Sequence, residues 1–100
     1  MPSANLDTYF YIPVGADPSA AMVNPVTQRV YVTNRRHSTV SVIDAVANHV
    51  IATVTVMLDP IAAAVDSQRN LIYVASRRED HLTVIDGVTH QLITDVPLHQ

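Results

Sequence analysis

Apolar and polar residues alternate along this chain in short runs, each broken by turn-forming residues. Arg29-Val30-Tyr31-Val32-Thr33-Asn34 and Thr39-Val40-Ser41-Val42-Ile43 are rich in β-branched and aromatic side chains, the composition of a pleated, half-buried strand. Val50-Ile51-Ala52-Thr53-Val54-Thr55-Val56 alternates from Ile51 onward and predicts another strand. Ser19-Ala20-Ala21-Met22-Val23 is apolar and small; Asn24-Pro25 stops it too early for a helix, so it reads as a short buried strand in a tight space. Ahead of it, Thr8-Tyr9-Phe10-Tyr11-Ile12-Pro13-Val14 predicts one more strand, which Pro13 confines to a sheet edge or end because it has no N–H to donate. Between these runs lie turns at Gly15–Pro18, Asn24–Gln28 and Ala45–His49, and a polar hairpin loop, Arg35-Arg36-His37-Ser38. Asp44 ends its strand, with its carboxylate expected to fold onto the backbone of the next turn.

The series then repeats. Tyr31 returns as Tyr73 and Arg35 as Arg77, a constant offset of 42 residues. Asp59-Pro60 matches Asp17-Pro18, Ala62-Ala63-Ala64-Val65 matches Ala20-Ala21-Met22-Val23, and Leu82-Thr83-Val84-Ile85-Asp86 matches Val40-Ser41-Val42-Ile43-Asp44. Ile12-Pro13-Val14 aligns with Val54-Thr55-Val56 and Val96-Pro97-Leu98, so the opening strand stands where the fourth strand of a preceding unit would be. A four-stranded unit with a period of roughly 40–45 residues is a propeller blade. The strands are apolar on both faces, and such a sheet needs a neighbour on each side. The predicted fold is therefore all-β: two four-stranded antiparallel blades plus one extra N-terminal strand. Residues 1–14 form the leader and extra strand, 15–56 the first blade, 57–98 the second and 99–100 a tail.

The motif Tyr31-Val32-Thr33-Asn34 followed by Thr39-Val40-Ser41-Val42-Ile43-Asp44, with its degenerate copy Ile72-Tyr73-Val74-Ala75-Ser76 and Leu82–Asp86, resembles the YVTN family of β-propeller repeats, blades of WD40-like kind. The resemblance covers residues 8–98. It implies the propeller fold, is compatible with a secreted or periplasmic location, and names no single activity. Family repeats carry glycine where the outer strand passes to the next inner strand, as at Gly15; the second copy has Met57-Leu58 there instead.

Propellers close with about 4–8 blades, and two do not close. Either the chain assembles with itself, as a trimer or tetramer of two-blade chains, or it belongs to a longer propeller. In a self-assembled ring the Thr8–Val14 strand could complete a neighbour's last blade, in competition with Leu92–Leu98.

Composition narrows the partners. Apolar residues make up 48% of the chain, which suits a folded domain, and charged residues only 15%. A net charge of −3 supplies no basic field for nucleic acid. No apolar run approaches the roughly 18 residues of a membrane span, and Met1–Asp7 lacks the basic start and apolar core of a signal peptide. There is no cysteine, hence no disulfide or thiolate metal site.

Candidate chemistry gathers at one rim. Blade topology puts the loop between second and third strands beside the loop entering the first. That places Asp17, Arg35, Arg36 and His37 together, with Asp59, Arg77, Arg78, Glu79, Asp80 and His81 in the next sector. Guanidinium groups so placed would recognise a carboxylate, a phosphate, a glycan or an acidic protein through forked hydrogen bonds. The competing expectation is that these arginines pair with Glu79, Asp80 or the aspartates before proline and cap the rim. Asp44 and Asp86 have no partner carboxylate for acid–base work and are expected in turns. His37, His49, His81, His90 and His99 lack close metal-ligand spacing, so no metal is expected. No motif for a cofactor or nucleophile occurs. Tyr31 and Tyr73 are expected to pack between blades with their hydroxyls satisfied. The expected function is a self-assembling binding scaffold that takes a partner or small anion on the Arg-bearing rim or at the ring axis. The alternative is a propeller enzyme of lactonase-like or quinone-dependent oxidoreductase type.

Overall fold

A computed structural model describes residues 12–77 and 80–97. The strands are β1 (Pro18–Asn24), β2 (Arg29–Asn34), β3 (Thr39–Asp44), β4 (His49–Thr55), β5 (Pro60–Asp66), β6 (Leu71–Ser76), β7 (His81–Asp86) and β8 (Leu92–Pro97). They form two antiparallel sheets with strand orders β1-β2-β3-β4 and β5-β6-β7-β8, and no helix occurs among the described residues. Each strand pairs with the next in sequence, so hairpin loops suffice as connections within a sheet.

The two sheets share their register. Met22 stands opposite Tyr31, Tyr31 opposite Val42 and Val42 opposite Ala52. In the second sheet Ala64, Tyr73, Val84 and Thr94 occupy the same row. Bulges recur too, after Pro18 and Pro60 in the first strands and between Val42/Ile43 and Val84/Ile85 in the third. Left-handed backbone follows the same period. Asp17, Gln28, Ser38 and Asn48 have φ of 59, 58, 57 and 62°, and Asp59, Asn70, Asp80 and His90 have 61, 55, 51 and 60°. None of the eight is glycine; Asn, Asp and His are the other residues most often found here, whereas Gln28 and Ser38 hold it at some cost.

The turn aspartates behave as expected. Asp44 Oδ1 accepts hydrogen bonds from the Val46 and Ala47 N–H groups at 2.8 and 3.2 Å, and Asp86 Oδ1 accepts from Val88 and Thr89. Asp66 does the same for Gln68 and Arg69 at the preceding hairpin. The Ala47 and Val46 N–H groups hold the Asp44 carboxyl below its ordinary value.

One sheet lies on the other, β1 and β2 against β5. The first sheet contributes the face that carries Tyr31, Val40, Val42 and Val54; the second contributes the opposite face, carrying Ile72, Val74 and Ile85. These residues form one buried cluster, with Val56 between the sheets and Ala52, Ala63 and Val65 packed against it. Polar links pin the inner strands. Ser19 Oγ donates to the Pro60 carbonyl at 2.9 Å, and Asn24 Nδ2 donates to Asn70 Oδ1 at 3.1 Å.

Three expectations change. Of the strand at Thr8–Val14, residues 8–11 lie outside the described residues, and Ile12–Val14 forms no strand. The first strand is not wholly buried: Ala21 and Val23 are exposed, because among the described residues no sheet covers that face of β1. The Tyr31 side chain is fully buried between the sheets as expected, but its hydroxyl finds no hydrogen-bond partner among the described residues.

Candidate functional site

Of the candidate rim residues, the structure brings together Asp17, Arg35, Arg36, Asp59 and Arg77. Arg35 N donates to Asp17 O at 2.9 Å, Arg36 N to Ala16 O at 3.3 Å and Arg77 N to Asp59 O at 3.0 Å. His37 Nδ1 accepts the Ala16 N–H at 3.0 Å, which ties the hairpin loop to the segment entering β1. The left-handed Asp17 and Asp59 turn the chain into the prolines that begin β1 and β5.

The side chains link the two sheets. Arg35 Nε lies 3.4 Å from Asp17 Oδ2 and 3.2 Å from Asp59 Oδ1, so one guanidinium bridges both aspartates. Arg77 approaches Asp59 Oδ2 through both Nε and Nη2, each at 3.1 Å. Asp59, with its side chain 15% exposed, is the shared centre of this network. Pairing of arginines with the aspartates before proline is thus what Arg35 and Arg77 do. Arg36 is different: it is exposed and makes no ion pair among the described residues. Arg78 and Glu79 lie outside the described residues, and Asp80 is exposed.

Asp17, Arg35, Arg36, Ser38, Leu58, Asp59 and Arg77 line an open cleft of about 340 Å³ across the junction of the two sheets. Among its described lining residues three guanidiniums face two carboxylates, an excess of one positive charge. Because Asp17 and Asp59 hold two of the arginines in place, those two present remaining N–H groups from fixed positions. Ser38 and Leu58 are lining residues that motif reasoning passed over. Their signal was adjacency, since Ser38 closes the Arg35 hairpin and Leu58 precedes Asp59.

A second, larger cleft of about 470 Å³ is bounded by Pro13, Val14, Gly15, His37, Thr39, Ser41, Val50 and Thr53. It lies on the outer face of the first sheet. Of the other histidines, His90 is partly buried, and desolvation with the nearby Arg29 charge pushes its pKa down. Among the described residues, no three of His, Cys, Asp or Glu gather closely enough to hold a metal ion.

Comparison with known proteins speaks to the fold. No family model matches the chain, and no curated protein matches it significantly. Solved structures do. Hydrazine synthase from Kuenenia stuttgartiensis superimposes with a TM-score of 0.80 at 21% identity, over 94% of this chain and 27% of that one. AztD from Citrobacter koseri gives 0.78 at 19% identity over 88% of this chain and 26% of its own. The dihydro-heme d1 dehydrogenase NirN, in complex with DHE, gives 0.73 at 13% identity over 88% and 20%. These neighbours are β-propeller proteins. The fold is that of propeller blades. The chain spans about a quarter of the length of the first two, and at these identities the likeness concerns the fold alone.

Proposed function

We propose that this chain is a β-propeller scaffold of YVTN kind whose Arg-bearing rim binds an anionic group, a carboxylate or phosphate, through Arg36 with Arg35 and Arg77. The observation that carries this reading is the contrast within the cleft. Arg35 and Arg77 are fixed by Asp17 and Asp59, while Arg36 stands at the same cleft with no acid partner among the described residues. Fixed guanidiniums lose little freedom when an anion arrives, and Arg36 supplies charge that no acid among the described residues pairs with. A site that is open and only one charge positive suits weak capture of an anion borne by a small molecule or acidic partner.

Calorimetric titration with inorganic phosphate and with a short Asp/Glu peptide tests this. The wild type should bind at least one probe, with affinity falling as salt rises. Arg36→Ala should weaken binding about tenfold, on the order of one charge-assisted contact of ~1.5 kcal/mol. Arg29→Ala, which is remote from the rim, should bind as the wild type does. Absence of binding to both probes, or Arg36→Ala binding unchanged, would overturn the proposal.

A further inference from the structure

We infer that the two blade faces left uncovered among the described residues are complementary and that each takes a second copy of the same chain, head to tail. The inference is independent of what the rim binds. Its basis is that the molecule already contains this interface once, between its own blades.

Each blade has two faces, and the repeat makes them alike in both copies. Call the face bearing Tyr31 and Tyr73 the tyrosine face, and the face bearing Val30, Val32, Ile72 and Val74 the valine face. Inside the chain, the tyrosine face of the first blade packs on the valine face of the second. That leaves the valine face of the first blade and the tyrosine face of the second. Burial registers the difference. Tyr31, Ile72 and Val74 are all 0% exposed, whereas their repeat equivalents Tyr73, Val30 and Val32 are only partly buried. Val23, on the uncovered valine face, is 58% exposed; Val96, on the uncovered tyrosine face, is 41% exposed. The same side chains in the same register thus meet a partner at one junction and none at the two ends.

The ends also carry parts of the joint. Val56 follows β4 and sits in the core between the blades. Val14, its equivalent, lines the cleft on the valine face of the first blade with Ser41, Val50 and Thr53. The segment entering β1 therefore lies against that face as the end of a preceding blade would. At the opposite end, Ala62 and Ala64 of β5 are exposed on the tyrosine face, where Ala20 and Met22 face the second blade in the internal joint. Small residues here let the next first strand approach closely.

Joining unlike faces is a heterologous contact, which closes into a ring when the rotation per copy permits. Three or four two-blade copies fall within the blade numbers of known rings. Pairing of unlike faces also makes a prediction that no symmetric dimer shares.

Val23→Glu places a charge on the valine face, and Ala64→Glu places one on the tyrosine face. Both sites are exposed within the chain, so each variant should keep the wild-type circular dichroism and melting transition of an isolated chain. Sedimentation at tens of micromolar should then give three or four times the 10.9 kDa chain mass for the wild type and the single-chain mass for each variant. An equimolar mixture of the two variants should give a dimer, because one intact joint remains between them. A folded wild type that sediments as a single chain, or a mixture of variants that stays monomeric, would overturn the inference. Persistence of the wild-type mass in both variants would do the same.

Discussion

Replacing Tyr31 by phenylalanine removes a single oxygen from the centre of the joint between the blades. The side chain is fully buried, and its hydroxyl has no partner among the described residues. Burial without a partner also raises its pKa, an effect the Arg29 charge only partly opposes. A buried, unpaired hydroxyl costs about 1–3 kcal/mol of desolvation. Tyr31→Phe keeps the ring and sheds that penalty, so it should leave stability unchanged or raise it by up to that amount. In a domain of this size each kcal/mol moves the melting temperature by roughly 4–8 °C. Tyr31→Ala instead empties the joint and should cost about 3–5 kcal/mol. Tyr73→Ala, at the equivalent position with no blade over it, should cost about half as much in the isolated chain, since only part of its ring is buried. Equilibrium urea unfolding of the three variants in a monomeric background such as Val23→Glu gives all three values. A loss above ~1 kcal/mol for Tyr31→Phe would mean the hydroxyl is bonded. Equal losses for the two alanine variants would mean that Tyr31 is not covered by the second blade.

Other perturbations probe the turns and their junctions. A Cβ at Gly15 would lie 2.7 Å from Asn34 Cγ and 2.8 Å from its Cβ, so Gly15→Ala should destabilise by about 1–3 kcal/mol. Adding Asn34→Ser should recover part of that loss in a double-mutant cycle, since Met57 with Ser76 is the same pair in the second blade. Gly87→Ala should be worse, because its Cβ would meet the Asn70 side chain and the Asn70 backbone carbonyl at 2.7 Å, whereas Ala45→Gly at the equivalent site should cost under ~1 kcal/mol. His90, whose pKa is lowered by burial and Arg29 against the opposing pull of Asp86, is protonated more readily in the unfolded chain. Its contribution to stability is present above about pH 6.5 and is lost as pH falls through the lower folded value; His90→Asn should flatten that limb of a stability–pH curve. Asp44, also lowered, acts in the same direction at more acid pH, and its contribution fades as pH falls from about 4.

Much of this architecture is written in local patterns. Strands such as Thr39–Asp44 declare themselves through β-branched runs, and the repeat supplies the register that joins them into blades. Turn aspartates and the grouping of Asp17 with Arg35 follow from side-chain reach and hairpin topology. Other features depend on what lies across a face, which one strand cannot report. Tyr31 and Tyr73 are the same letter in the same motif, yet only Tyr31 is sealed by a neighbouring sheet. Strand propensity likewise did not decide Ile12–Val14, which forms no strand. The bridging of Asp17 and Asp59 by Arg35 needed the two blades in place, because Asp59 belongs to the second. Left-handed Gln28 and Ser38 were hidden as well, since neither is a residue that marks such a turn.

If the joint between the blades repeats between chains, each tyrosine face meets the valine face of the next copy. The mass of the unaltered chain in solution tests it most directly. A closed assembly of three or four chains is the predicted result; a folded, stable species of 10.9 kDa at tens of micromolar would contradict it.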